Sequence, residues 1–228
     1  NELQHPYQTS WGVSTRLVGM IIMAHGDDKG LKLPPKLAPH QIVIVPIIPN
    51  DKDKDLVMKV VNQLNDSLSE FRVIIDDRSE VSPGFKFNEW EQKGVPLRVE
   101  VGPKDIEKNT ILVSRRDDES KNSYPMDDVQ NTLKKLLDEI QDNLYKNSEN
   151  TLKENTTHVE SFSELIEVLN SKKGFVSCFW KENKEDELKI KEETSATLRC
   201  YPLENTDSEK AVNSDSENGN FAIFSKAY

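Results

Sequence analysis

Residues 41–48 read Gln-Ile-Val-Ile-Val-Pro-Ile-Ile, and this segment narrows the choice of folds more than any other. A half-exposed strand alternates apolar and polar residues; a short, continuous, β-branched apolar run is a strand buried on both faces. Behind it Leu56, Val57, Val60, Val61, Leu64 and Leu68 recur at helical spacing, and Phe71-Arg-Val-Ile-Ile-Asp-Asp77 is a second strand. Strand, helix, strand in that order predicts a parallel pair joined by a right-handed crossover. A candidate helix over 83–93 and strands over 97–101 and 110–115 extend this to a compact α/β unit of about five strands. A long amphipathic helix from 126 to about 152 closes the unit through Val129, Leu133, Leu136, Leu137, Ile140 and Leu144.

The flanks differ from this centre. Residues 14–24, Ser-Thr-Arg-Leu-Val-Gly-Met-Ile-Ile-Met-Ala, are apolar on every side of a helical wheel, which predicts a buried helix with Ser14 as N-cap. A loop at 25–30 and the prolines Pro34, Pro35 and Pro39 then make a stiff connector, placing a first boundary there. Beyond Asn155 the chain turns polar, with a helix expected over 163–172, a strand over 175–180 and a charged helix over 182–193. Residues 205–220 are rich in Asn, Ser, Asp and Glu and read as a mobile loop. An ordered tail follows where apolar residues return at Phe221-Ala-Ile-Phe224.

Composition excludes some functions. No apolar stretch approaches the length of a membrane span, and the first residues lack the basic and apolar regions of a signal peptide. Two cysteines, Cys178 and Cys200, make neither a disulfide framework nor a four-cysteine metal site, so a cytoplasmic setting is expected. The first residue is Asn rather than Met, which fits a fragment. The net charge of -10 argues at first against nucleic acid. Its distribution weakens that argument: residues 122–228 hold 13 Lys+Arg against 21 Asp+Glu, leaving only -2 for the first 121. An acidic appendix can coexist with a locally basic face upstream.

Tyr7-Gln-Thr-Ser-Trp-Gly-Val-Ser-Thr-Arg16 sets a glycine and hydroxyl residues just before an arginine at a helix start, an arrangement that suits a polyphosphate anion or an ordinary strand-to-helix turn. Together with His25-Gly-Asp-Asp-Lys-Gly-Leu-Lys-Leu-Pro-Pro35 it resembles motif 3 of the prolyl-tRNA synthetases, class II aminoacyl-tRNA synthetases, in their archaeal and eukaryotic-like type. Ser82-Pro-Gly-Phe-Lys-Phe-Asn-Glu-Trp-Glu91 and Lys93-Gly-Val-Pro-Leu-Arg-Val-Glu-Val-Gly-Pro-Lys-Asp105 resemble that family's anticodon-binding domain. The likeness is dense to Asp117 and thins after about Asn150.

The resemblance implies a fold and a division of labour. The fold is an α/β class II anticodon-binding domain, a mixed sheet of about five strands with flanking helices, plus a small α/β C-terminal domain. Residues 1–38 would end a catalytic domain, 39–152 would be the anticodon-binding domain, and 153–228 a zinc-domain-like extension without zinc ligands. Arg16 is similar to the motif 3 arginine that contacts the terminal phosphate of ATP, with Ser14 and Thr15 near the adenosine. Trp11 and Gly12 match the proline pocket, and Tyr228 matches a terminal tyrosine that can approach the active site. Phe87, Glu91, Arg98 and Lys104 match positions that read the two guanines of the proline anticodon.

Elementary chemistry agrees with those four. Unstacked bases are held by aromatic faces and polar contacts to their edges, a carboxylate can accept from guanine N1–H and N2–H, and Phe87 and Glu91 are i,i+4 on one helix. The alternative is that Phe87 packs in the core and Glu91 pairs with a nearby lysine. Arg115 and Arg116, at a strand end, read as extra phosphate contacts or as solvated charge.

By resemblance the intact protein ligates L-proline to tRNA(Pro) with ATP and Mg²⁺ as a homodimer, with no membrane involved. These 228 residues alone are expected to be inactive, since nothing before Tyr7 corresponds to motifs 1 and 2. Many relatives carry a zinc held by four cysteines, whereas residues 179–184 and 214–220 contain no Cys or His, so no metal is expected. A free-standing tRNA-binding module is the alternative. A small nucleotide-binding enzyme fits poorly, because Pro49-Asn-Asp-Lys52 after the first strand has no glycine for a phosphate loop.

Overall fold

The computed structural model describes residues 4–205 and 207–226. The chain divides into two compact units, Asn1–Lys146 and Asn147–Tyr228, each built on its own sheet.

In the first unit, β1 (Ile42–Pro46) is the buried run and pairs in parallel with β2 (Val73–Ile75) on one side and β3 (Leu97–Val101) on the other. Antiparallel β4 (Thr110–Arg115) and β5 (Lys121–Pro125) complete the order β2-β1-β3-β4-β5. The helix between β1 and β2 is α2 (Lys54–Ser67), and α3 (Pro83–Gln92) and α4 (Pro103–Glu107) flank β3 in sequence. The amphipathic α5 (Val129–Glu154) follows β5. Its six expected apolar positions are all buried, and with Val57, Val61 and Leu64 of α2 they cover the sheet face made by Ile42, Ile44, Leu97, Val99 and Ile111.

The opposite face is treated differently along its width. Val43 and Val45 of β1 pack with Val95 and with Trp90 of α3 in a separate small cluster. Beyond them Arg98 and Glu100 of β3 alternate onto this same face.

The second unit orders its sheet β6-β7-β10-β8, from Thr156–His158, Phe175–Trp180, Asn218–Lys226 and Ala196–Cys200 respectively, and β9 (Ser208–Lys210) pairs with β10. Helices α6 (Phe162–Ser171) and α7 (Lys184–Thr194) supply Leu165, Leu169 and Ile190 to a core with Val176, Cys178, Trp180 and Phe224.

Three expectations are corrected. The apolar helix α1 (Arg16–His25) forms but buries none of its residues, and Thr15 rather than Ser14 is its N-cap. A helix apolar all round needs neighbours all round, and the described residues do not supply them. The polar stretch 205–220 is not a simple mobile loop. It contributes β9, buries Ala211, and uses the Asn213 side chain to bond the Lys181 backbone N–H at 3.0 Å and its carbonyl at 2.9 Å. Finally β5, β6, β8 and β9 are strands that periodicity did not mark, because Lys-Asn-Ser-Tyr-Pro and its like carry no alternation.

Candidate nucleic-acid interface

The reading helix α3 begins as its sequence dictates: Ser82 caps it by accepting from the Phe85 N–H at 3.3 Å, and Pro83 occupies the first turn, where its missing N–H costs nothing. What seats α3 on the sheet is a polar anchor as much as an apolar one. Trp90 is buried on Val43 and Val45, and its indole N–H donates to the Asp76 carboxylate at 2.8 Å. Arg78 grips the same carboxylate with two bonds of 2.8 and 2.7 Å, and the buried Lys86 donates to the Asp76 carbonyl at 3.0 Å. The Arg78 fork, with the Trp90 N–H and the Lys86 charge behind it, holds the Asp76 carboxyl down at about 2 despite burial.

Once α3 is fixed, Phe87 and Glu91 lie one turn apart on it and face the polar half of the sheet. The Arg98 guanidinium stacks on the Phe87 ring, 4.2 Å from its centroid, and the Lys121 ammonium lies 5.6 Å from the same ring. Arg98 donates through Nε to Glu100 at 3.2 Å and through Nη2 to the Ser114 hydroxyl at 3.2 Å. Glu91, Arg98, Ser114 and Lys121 share the walls of one open cleft of about 220 Å³ with Lys29 and Glu119.

Three of the four expected base-reading residues are therefore brought together. The fourth, Lys104, is exposed on α4 past the C-terminal end of β3, whereas Arg98 lies next to that strand's first residue; it does not line the cleft. Neither alternative for Phe87 and Glu91 excludes a surface role. Phe87 is partly buried against the small cluster with its ring under Arg98, and Glu91 has Lys29 at 3.9 Å. Residue-level reading missed Lys121, Ser114 and Glu100. The alternation Arg98-Val-Glu100 would have found Glu100, but Lys121 and Ser114 join the site only through the β3–β4–β5 pairing, Arg98 opposite Ser114 opposite Lys121.

Arg115 and Arg116 are not solvated charges: both line the same cleft, and both are paired with carboxylates. Arg115 is tied to Asp117 at 3.1 and 2.9 Å and to Glu139 at 2.9 Å. Burial alone would raise the Asp117 pKa, but bonds from Arg115 and from Asn143 at 2.7 Å outweigh it and lower it. Arg116, 5% exposed, forks onto Asp27 at 3.0 and 2.6 Å and donates to the Glu91 carbonyl at 3.0 Å. That fork holds the Asp27 carboxyl well below the usual range. The connector after α1 is thus clamped to the end of α3, and two backbone bonds, Leu31 to Gln92 and Leu33 to Gly94, extend the clamp. The approach requires glycine at both sides: Gly30 and Gly94 have φ of 138° and 72°, and a Cβ on Gly30 would sit 2.5 Å from the Gln92 Cα.

The N-terminal candidates form no pocket. Trp11 is 93% exposed, nothing lies within 4 Å of where a Cβ on Gly12 would point, and Arg16 makes no ion pair among the described residues. Ser14 Oγ accepts weakly from the Arg16 N–H at 3.4 Å, and Thr15 makes no side-chain cap bond. These residues do not by themselves enclose ATP, Mg²⁺ or L-proline. Tyr228 lies outside the described residues. Among the described residues no group of three His, Cys, Asp or Glu is placed to hold a metal, and no helix is long and apolar enough to cross a membrane.

Comparison with known proteins bears on the whole chain. A family model described as "Anticodon binding domain" matches residues 41–136, and one described as "Prolyl-tRNA synthetase, C-terminal" matches 162–228. Along its length the chain matches the C-terminal region of prolyl-tRNA synthetases. It is 45% identical over its full length to the proline–tRNA ligase of Roseiflexus sp. (strain RS-1), covering 48% of that protein. It is 48% identical over 89% of its length to that of Alkaliphilus oremlandii (strain OhILAs), covering 42%. The crystal structure of prolyl-tRNA synthetase from Cryptosporidium parvum complexed with L-proline and AMP superposes with a TM-score of 0.86 at 38% identity, over 94% of this chain and 46% of that one. The chain thus spans about half the length of the synthetases it matches, and the α/β fold expected of a synthetase anticodon domain is the one observed.

Proposed function

We propose that the cleft between α3 and the polar half of the first sheet reads the anticodon of tRNA(Pro), as part of a protein that ligates L-proline to that tRNA using ATP and Mg²⁺. One observation carries the reading: Arg98, its guanidinium 4.2 Å over the Phe87 ring, shares an open cleft with the Glu91 carboxylate. A guanidinium fork backed by an aromatic ring, which can itself stack on a base, and an acceptor for N1–H and N2–H suit a splayed guanine. Lys104, outside the cleft, is assigned to the phosphate backbone. Trp11, Gly12, Ser14, Thr15 and Arg16 are assigned to the synthetic site of the intact, homodimeric, cytoplasmic enzyme, together with Tyr228.

The division into 1–38, 39–152 and 153–228 is supported by the family models, which fall inside the last two. A zinc-free C-terminal domain is supported by the cysteines. Cys178 is buried in β7 and Cys200 is exposed at the end of β8, and two thiols fall short of the four ligands that a structural zinc takes.

Binding of an anticodon stem-loop with both guanines, against the same hairpin with adenines there, tests the reading. Wild type is expected to prefer guanine, and Glu91→Ala and Arg98→Ala to lose about 1–3 kcal/mol of that preference. Equal binding of the two hairpins by the wild type would sink it. Proline-dependent ATP–pyrophosphate exchange is expected to be absent from these 228 residues, and a measurable rate contradicts the assignment.

A further inference from the structure

On the polar half of the first sheet, Glu100 is a buried carboxylate that an anion-binding face does not call for. It lies on β3 two residues from Arg98, on the same side of the strand, and is 5% exposed. A carboxylate that buried persists only when paired. Here it is paired twice: Arg98 Nε donates to one oxygen at 3.2 Å, and the Lys121 ammonium bridges both oxygens at 2.9 Å. Two cations on an open face would attract any phosphate that passed. With one full negative charge set between them, the trio carries a single net positive charge.

The same carboxylate also restricts Arg98. Its guanidinium has Phe87 beneath the plane, Glu100 at Nε and Ser114 at Nη2, and its Nη1 edge makes no hydrogen bond among the described residues. A fork held on three sides presents a defined edge to a base and pays little further ordering entropy on binding.

Building on the anticodon reading above, we propose that Glu100 is a specificity-determining positioning residue. It holds Lys121 off the RNA backbone and fixes the Arg98 fork, lowering affinity for RNA of any sequence in exchange for discrimination by base. Selectivity is a difference of affinities, and suppressing contacts shared by right and wrong ligands widens it.

The test measures binding of the guanine and adenine hairpins over a salt series, by this chain and its variants. Each phosphate engaged on a single strand contributes about 0.7 to the slope of log K against log salt. In Glu100→Gln, Lys121 is released: the slope is expected to steepen by about 0.7, adenine-hairpin affinity at low salt to rise about threefold or more, and the guanine preference to fall by a similar factor. In Lys121→Gln the slope is expected to stay at the wild-type value, since that cation is already neutralised. Glu100→Gln with Lys121→Gln is expected to restore the slope while the preference stays low.

A Glu100→Gln protein that binds both hairpins more weakly in parallel with an unchanged slope overturns the proposal, as does a Lys121→Gln slope shallower by about 0.7. If Glu100→Gln does not fold, judged by its thermal transition, the Lys121→Gln slope decides alone. A wild type blind to guanine refutes the anticodon reading, while the slopes still judge what Glu100 does to Lys121.

Discussion

The two sheets of this chain solve the same packing problem and then part ways. Each has one face closed by helices, α2 and α5 over the first and α6 and α7 over the second, and each leaves part of the other face without a helix. On the first sheet that open region carries Arg98, Glu100 and Lys121, joined by ion pairs. On the second it carries Phe179, Phe221 and Ile223, half-buried, with His158 stacked on Phe221 at 6.1 Å and its Nδ1 3.2 Å from the Ser177 hydroxyl. Stability therefore sits on the covered faces in both units. The two open regions differ in chemistry, with paired charges on the first and half-buried aromatic rings on the second.

Three lesions probe that contrast, and they should rank by how deeply each side chain is covered. The largest effect is expected from Trp180→Ala on the closed face of the second sheet. Trp180 is fully buried against Phe162 and Phe224, so its removal should cost about 3–5 kcal/mol in urea unfolding. A cost below about 1 kcal/mol would mean that the covered face does not carry the unit.

Next comes the polar anchor of α3. Because the Asp76 carboxyl is depressed to about 2, its contribution is present above the ordinary carboxylate pKa and is lost as pH falls toward 2. Asp76→Asn should be less stable than wild type at pH 6 by on the order of 2 kcal/mol, with the gap closing between about pH 4 and pH 2. A gap independent of pH would show that Asp76 acts by shape rather than charge.

The smallest effect belongs to the open aromatic face. Phe221→Ala removes an edge-on contact to Phe179 at 5.6 Å between two half-buried rings, and should cost only about 0.5–1.5 kcal/mol by thermal unfolding. A loss matching Trp180→Ala would erase the distinction between the two faces. Thiol labelling sharpens it from the other side. Cys200 is exposed, whereas burial pushes the Cys178 thiol up to about 12, so one equivalent of reagent should react before unfolding and the second only after.

Much of this architecture is written in local pattern. The β-branched run at 42–46, the helical spacing of α2 and the six apolar positions of α5 each point to an element and to its buried side, and all three appear where the pattern puts them. Phe87 and Glu91 are legible for the same reason, since i,i+4 spacing places them on one helix surface. Pattern fails where burial is decided elsewhere. The apolar wheel of α1 predicts that it needs a surround without saying which residues supply one. The Lys-Asn-Ser-Tyr-Pro of β5 has no apolar alternation, because only Tyr124 turns toward the core. Arg115 and Arg116 look alike in sequence, yet the partners that withdraw them from solvent include Glu139 and Asp27, 24 and 89 residues away.

What the sequence determined by itself is which residue types stand at which spacing, and hence the strand–helix–strand core, the amphipathic closing helix and the similarity to one synthetase family. Only the tertiary structure decided which charges meet. Periodicity is a property of the local backbone and survives in one dimension, whereas an ion pair depends on distances set by strand pairing between remote segments. Arg98, Ser114 and Lys121 therefore become neighbours only when β3, β4 and β5 lie side by side.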